Sequence, residues 1–217
     1  MSIVENINKI KNEISETATL VAVSKTKPNE LIQEAYDLGQ RIFGENKVQE
    51  LVEKYEDLPK DIEWHLIGHL QTNKVKFIAP FISLIHAIDS FKLLKEINKQ
   101  ANKNNRIINC LLQVKIAEEE SKFGLTTSEA EVLISSEDTK QLKGINIVGL
   151  MGMATNSSDE NKVKDEFSQL NEFFKRLNTQ HPTLKTLSMG MSGDYKLAIE
   201  QGSNMIRVGS TIFGGRK

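Results

Sequence analysis

NMIRVGSTIFGGRK, Asn204 to Lys217, is the stretch that decides the fold. Its first half, NMIRVGS (Asn204–Ser210), reads as a short buried strand, because apolar and β-branched residues run together after the helix stop at Gly202. Only Thr211 to Lys217 follow, too little chain for a full helix to cover that strand. Working back, seven more strand readings alternate with helical ones: TLVAVSK (19–25), RIFGEN (41–46), EWHLIGHL (63–70), SLIHAI (83–88), IINCLLQVKI (107–116), INIVGLMGM (145–153) and TLSMGMS (186–192). Between them lie helical patterns at 29–39, 47–58, 72–81, 90–104, 127–137, 159–180 and 193–202, punctuated by Pro28, Gly39, Pro80 and a Ser cap at Ser90. Eight strands alternating with helices is the count of a (β/α)8 barrel of the TIM type. Ile3, Ile7, Ile10 and Ile14 form the stripe of an extra N-terminal helix, which can take the place left vacant after the eighth strand, since strands one and eight are neighbours in a closed ring. An open doubly wound sheet is the alternative, and it has no need of that helix.

The 28 Lys+Arg against 29 Asp+Glu leave a net charge of −1, which argues against a generic hold on nucleic acid or an anionic membrane. Hydrophobic residues at 39% and charged ones at 26% fit a globular chain rather than a disordered one. The single cysteine, Cys110, sits in an apolar run and reads as a reduced core residue. The N-terminus has no apolar stretch of signal-peptide length and no run of about 18 apolar residues occurs, so a cytoplasmic protein is expected. No linker or repeat interrupts residues 1–217, and one domain is the economical reading.

In such a barrel, function gathers in the loops that follow the C-terminal ends of the strands. Lys25 lies there after strand one, Asn46 after strand two, His65 and His69 around the end of strand three, Ser192 and Gly193 after strand seven, and Arg207, Gly209 and Ser210 at the end of strand eight. Small residues and hydroxyls after strands seven and eight suit a phosphate, because glycine lets backbone N–H groups approach an anion. Either group alone reads equally as a turn. Lys25, leaving an apolar strand, is placed where desolvation lowers an amine's pKa toward imine chemistry; a snorkelling strand-end lysine is the bland reading. His65 and His69 lack acidic or cysteine companions in sequence, and structural hydrogen bonding is the simpler role, with no metal expected. Met151, Met153, Met189, Met191 and Met205 read as core and pocket lining.

The segments VAVSKTKP, FGENKVQE, WHLIGHLQTNKVK, GLMGMAT, LSMGMSGDYKLAI and GSNMIRVGSTIFGGR resemble, in order and spacing, the pyridoxal 5′-phosphate (PLP) homeostasis proteins, PLP-binding proteins of the alanine racemase N-terminal type. The resemblance covers nearly the whole chain. It implies one barrel like the alanine racemase N-terminal domain, PLP held as an internal aldimine on Lys25, a phosphate cradle at Ser192, Gly209 and Ser210, with Gly193 beside it, Arg207 facing the pyridine ring and Asn46 beside the cofactor. Two positions depart from the family pattern: Ser210 stands where Thr is common, and Gly193 where many members carry another residue. A guanidinium against the pyridine nitrogen keeps that nitrogen unprotonated, so the ring is a poor electron sink.

A non-catalytic PLP-binding role in cofactor storage or delivery is therefore expected, with PLP-dependent apoenzymes as candidate recipients and weak racemase-type activity left open. A PLP-dependent amino-acid racemase is the alternative. It needs a second base, commonly a tyrosine, and Tyr36, Tyr55 and Tyr195 lie in no racemase-like motif. No second β domain follows in this sequence, which points to a monomer. A phosphosugar-type barrel enzyme would share the phosphate cradle but would not be yellow.

Overall fold

In a computed structural model that describes residues 2–14, 16, 18–117 and 123–215, each strand pairs in parallel with the next and the eighth returns to the first. The strands are β1 (Thr19–Val23), β2 (Ile42–Glu45), β3 (Glu63–Leu66), β4 (Leu84–Ile88), β5 (Ile108–Gln113), β6 (Ile145–Met151), β7 (Thr186–Ser188) and β8 (Met205–Val208). The ring closes where Thr19, Leu20, Val21 and Ala22 stand opposite Met205, Ile206, Arg207 and Val208. The barrel reading holds, and the open sheet does not. The helices are α1 (Ile3–Ile14), α2 (Asn29–Asp37), α3 (Val48–Asp57), α4 (Val75–Ile78, entered through a 3-10 turn at Thr72–Lys74), α5 (Phe91–Lys103), α6 (Thr127–Ser135), α7 (Glu137–Lys140), α8 (Glu160–Gln180), α9 (Tyr195–Glu200) and α10 (Ser210–Phe213).

After β8 the described residues make only the single turn α10, and α1 fills the gap in the helical layer. It packs against both α2 and α10, and the Asn6 side-chain amide donates to the Ile212 carbonyl at 3.0 Å. All four isoleucines of its stripe are buried, each contributing roughly 1.5–3 kcal/mol. Strand residues alternate between two cores. Leu20, Ala22, Phe43, Trp64, Leu66, Cys110, Ile206 and Val208 face the helices, whereas Val21, Leu84, Leu111, Met151 and Met205 fill the barrel interior. Cys110 is buried, and burial pushes its thiol pKa up.

Several elements end earlier than their apolar runs. β7 stops at Ser188, so Met189–Ser192 belongs to the mouth, and β1 stops at Val23, so Lys25 sits in a turn. The helix expected at 127–137 is two helices, because the Ser136 hydroxyl accepts from the Thr139 N–H and starts α7 afresh. Ser90 caps α5 as expected, accepting from the Leu93 N–H. No helix among the described residues is long and apolar enough to cross a membrane.

Candidate functional site

Ser24, Lys25, Thr26 and Lys27 form a tight turn at the end of β1, closed by the Lys27 N–H donating to the Ser24 carbonyl at 3.0 Å. Thr26 takes the third position with φ +62, the left-handed conformation that a type II turn demands there and that normally selects glycine. Lys25, in the second position, is half-buried. The neighbouring Lys27 is committed elsewhere. Its ammonium donates to the carbonyls of Phe213, Gly214 and Gly215 at 3.1, 2.9 and 3.0 Å, using all three protons to hold the chain after α10.

The opposite wall comes from β7 and β8. Gly190 turns the chain out of β7 with φ +92, where a Cβ would stand 2.7 Å from that of Ala198. The Asp194 carboxylate accepts from the Met191 N–H at 2.6 Å and folds Met191–Asp194 into a compact loop. That loop presents Ser192, whose hydroxyl oxygen accepts from the Gly209 and Thr211 N–H groups at 3.2 and 3.4 Å. Two backbone donors, one just after β8 and one in α10, thus meet on the Ser192 hydroxyl and fix it at the cavity mouth.

Between these walls, Arg207 points inward from β8 and is 4% exposed. Its guanidinium donates to the Ser188 carbonyl (2.8 Å), the Ser188 hydroxyl (2.6 Å) and the Gly152 carbonyl (3.0 Å). Its hydrogen bonds go to neutral oxygens, while the Asp194 carboxylate acts on it electrostatically. Burial pulls its pKa down to about 10, which leaves it charged at neutral pH. The contact chain continues across the barrel, with the Ser188 hydroxyl 3.2 Å from His86 Nδ1 and His86 Nε2 3.1 Å from His65 Nδ1. Because Ser188 accepts from Arg207, its own proton is available to His86, and His86 in turn can donate to His65. Burial holds the His65 pKa down at about 3 and that of His86 well below its ordinary value, so both rings are neutral. His69 has no part in this column. It lies at the surface, 3.4 Å from the Asp89 carboxylate and stacked on Phe123.

Asn46 follows β2 at the mouth, and Gly68 lets the chain after β3 pass against it; a Cβ on Gly68 would fall 2.4 Å from the Asn46 carbonyl oxygen. Lys25, Asn46, Ser192, Gly193, Arg207, Gly209 and Ser210 all line one cavity of about 390 Å³, together with Val23, Ile67, Met153 and Met191. Its volume suits a small-molecule or cofactor site. A larger cavity of about 550 Å³, on the other side of Asn46, contains neither the Lys25 turn nor Arg207. The three tyrosines are engaged elsewhere. The Tyr195 hydroxyl donates to Glu13 of α1, and burial together with that bond pushes its pKa up to about 12; Tyr36 donates to Asp61 at 2.7 Å, and Tyr55 stacks on Phe81. Sequence reading missed Ser188 and Gly152 as partners of Arg207, His86 as the partner of Ser188, and Glu45 and Lys54 beneath the Lys25 turn. Strand alternation carried a usable signal for His65, whose neighbours Trp64 and Leu66 face outward.

The family model for the alanine racemase N-terminal domain matches residues 1–217. The pyridoxal phosphate homeostasis protein of Vibrio alginolyticus is 41% identical, over 99% of this chain and 98% of its own; that of Aquifex aeolicus is also 41% identical, over 92% and 88%. Among solved structures, PipY of Synechococcus elongatus without PLP superposes with a TM-score of 0.91 at 36% identity, covering 98% of this chain and all of its own. The form of PipY with PLP bound gives 0.88 at 34%. Alanine racemase of Clostridium difficile, at 13% identity and a TM-score of 0.77, shares the fold over 57% of its length. A closed barrel with these motifs, matched end to end by such relatives, makes this chain a member of the pyridoxal phosphate homeostasis proteins, within the alanine racemase N-terminal domain family.

Proposed function

We propose that this protein binds PLP in the 390 Å³ cavity, with Lys25 as its Schiff-base lysine, and that it stores or delivers the cofactor in the cytoplasm without efficient turnover of amino acids. The observation that carries the reading is the convergence on one cavity of the Lys25 amine, the small and hydroxyl residues Ser192, Gly209 and Ser210, and the buried Arg207 guanidinium. PLP has the matching groups: an aldehyde, a phosphate and a ring nitrogen. Bound PLP supplies an electron-withdrawing ring that can acidify the α-carbon of an attached amino acid. Arg207 opposes that use, since a guanidinium held by Ser188 and Gly152 has no proton to yield to the pyridine nitrogen at neutral pH. The racemase reading loses further support from the tyrosines, none of which lines the cavity. PLP-dependent apoenzymes are the proposed recipients. A buried, reduced cysteine fits a reducing compartment.

Two results test this reading. Ser210→Ala should weaken PLP about tenfold or more, the worth of a charge-assisted hydrogen bond of roughly 1.5–3 kcal/mol, and should weaken pyridoxal, which lacks the phosphate, much less. Equal losses for the two ligands would put the phosphate anchor elsewhere. In deuterium oxide, the PLP-loaded protein should exchange the α-proton of L-alanine far more slowly than ordinary turnover of roughly 1–10³ per second. Exchange within that range, with loss of chirality, returns the racemase reading to first place.

A further inference from the structure

Beneath the Lys25 turn lies an ionic cluster, buried at Lys54 and Glu45 and half-buried at Glu50, that belongs to neither the phosphate cradle nor the Arg207 column. Lys54, on α3, is 5% exposed, and its ammonium spends its three protons on the Ser24 carbonyl (2.8 Å), Glu45 Oε1 (2.8 Å) and Glu50 Oε1 (2.6 Å). Each carboxylate then reaches back to the turn. Glu45 Oε1 accepts from the Ser24 hydroxyl at 2.6 Å, and Glu50 Oε1 from the Thr26 N–H at 2.5 Å. Every one of these bonds ends on Lys54 or on a residue directly flanking Lys25.

The cluster is costly by the standards of a merely stable fold. Glu45 is fully buried, its pKa is raised chiefly by burial, and its second oxygen, Oε2, has no hydrogen-bond partner. A buried ion pair seldom stabilises more than a well-packed apolar pair. A β-branched residue at φ +62 adds backbone strain, of order 1–3 kcal/mol, where glycine would be relaxed. These three costs converge on Ser24 and Thr26, and the residue they fix between them is Lys25.

Resting on the reading of Lys25 as the covalent anchor, we propose that Lys54 is a positioning residue for that lysine. Through Glu45, Glu50 and the Ser24 carbonyl it clamps both neighbours, so that the Lys25 side chain leaves the turn toward the aldehyde of a ligand already held by its phosphate. Small errors in such alignment slow bond formation steeply.

The experiment compares purified apoprotein of wild type, Lys54→Met, Glu50→Ala and Glu50→Gln, mixed with PLP. Two quantities are read: total PLP bound, and the rate and extent of the borohydride-trappable visible absorbance. Lys54→Met should bind PLP within about threefold of wild type, yet form the trappable species about tenfold more slowly or less completely. Glu50→Ala, which removes the acceptor for the Thr26 N–H, should show the same separation, and Glu50→Gln, which keeps an oxygen there, should restore most of the rate. The Glu50 pair decides the matter if Lys54→Met does not fold. Trapping at the wild-type rate in both Lys54→Met and Glu50→Ala overturns the positioning role, as does a parallel loss of total binding and trapping. Failure of the wild-type protein to form any trappable species overturns the underlying cofactor reading instead.

Discussion

Borohydride reduction of the PLP-loaded protein is expected to leave the pyridoxyl mass on Lys25, and Lys25→Ala is expected to abolish trapping altogether. The candidates divide by where their ammonium groups are placed, and Lys25 lines the cavity beside Arg207 and Ser192. Lys27 lines the same cavity but spends its protons on three carbonyls after α10. Lys196 pairs with Glu13 at 3.0 Å, and Lys74 belongs to the larger cavity beyond Asn46. Lys25→Ala keeps the Ser192–Gly209–Thr211 arrangement, so PLP should still bind non-covalently, more weakly but with the same preference over pyridoxal. Peptide mapping that finds the label on Lys27, Lys74 or Lys196 refutes the assignment.

The second large effect is a loss of stability in mild acid. His65 and His86 are neutral in the fold because burial depresses both pKa values, that of His65 to about 3. In the unfolded chain each titrates near the ordinary value of about 6.5. Below that pH the unfolded state therefore binds protons that the native state refuses, and stability, fully present above about 6.5, falls as the pH drops toward 3. Each ring contributes a slope of up to about 1.4 kcal/mol per pH unit. Urea unfolding at pH 7, 6 and 5 should show the midpoint falling, and His65→Gln, which cannot titrate, should remove about half of that fall. An unchanged slope in His65→Gln would falsify the assignment of the acid sensitivity to this pair.

The ring of strands was legible because parallel strands buried on both faces leave continuous apolar runs, and because the isoleucine stripe of α1 marks an apolar helix before β1, which packs against α10. The mouth residues were legible for a related reason: Lys25, Ser192 and Arg207 each sit within a few residues of a strand end. Strand ends themselves were read too long. Met189 and Met191 look like strand but serve the loop, since an apolar residue at the mouth and one in the sheet carry the same local signature. The partners of Arg207 left no such trace. Ser188 and His86 are 102 residues apart, and Ser24 and Lys54 are 30 apart, so neither pairing has a spacing to recognise. The barrel brings the first pair together across its interior and the packing of α3 beside β1 and β2 the second, and a histidine without a motif gives no hint that an arginine column runs through it.

The Lys25 turn hangs from β1 and Gly209 directly follows β8, the strands through which the barrel shuts. Every other neighbouring pair is tied by its own crossover. This joint is held by ladder bonds, by α1 lying against α10, and by the grip of Lys27 on the last described residues. A ligand fastened at one side to Lys25 and at the other to Gly209 acts as a clasp on that seam. Its binding free energy reappears as resistance to opening, about 2.7 kcal/mol when free ligand stands at a hundred times its dissociation constant. Such a ligand adds one more tie across the seam, so vitamin supply would help decide how long each molecule outlasts the proteases around it.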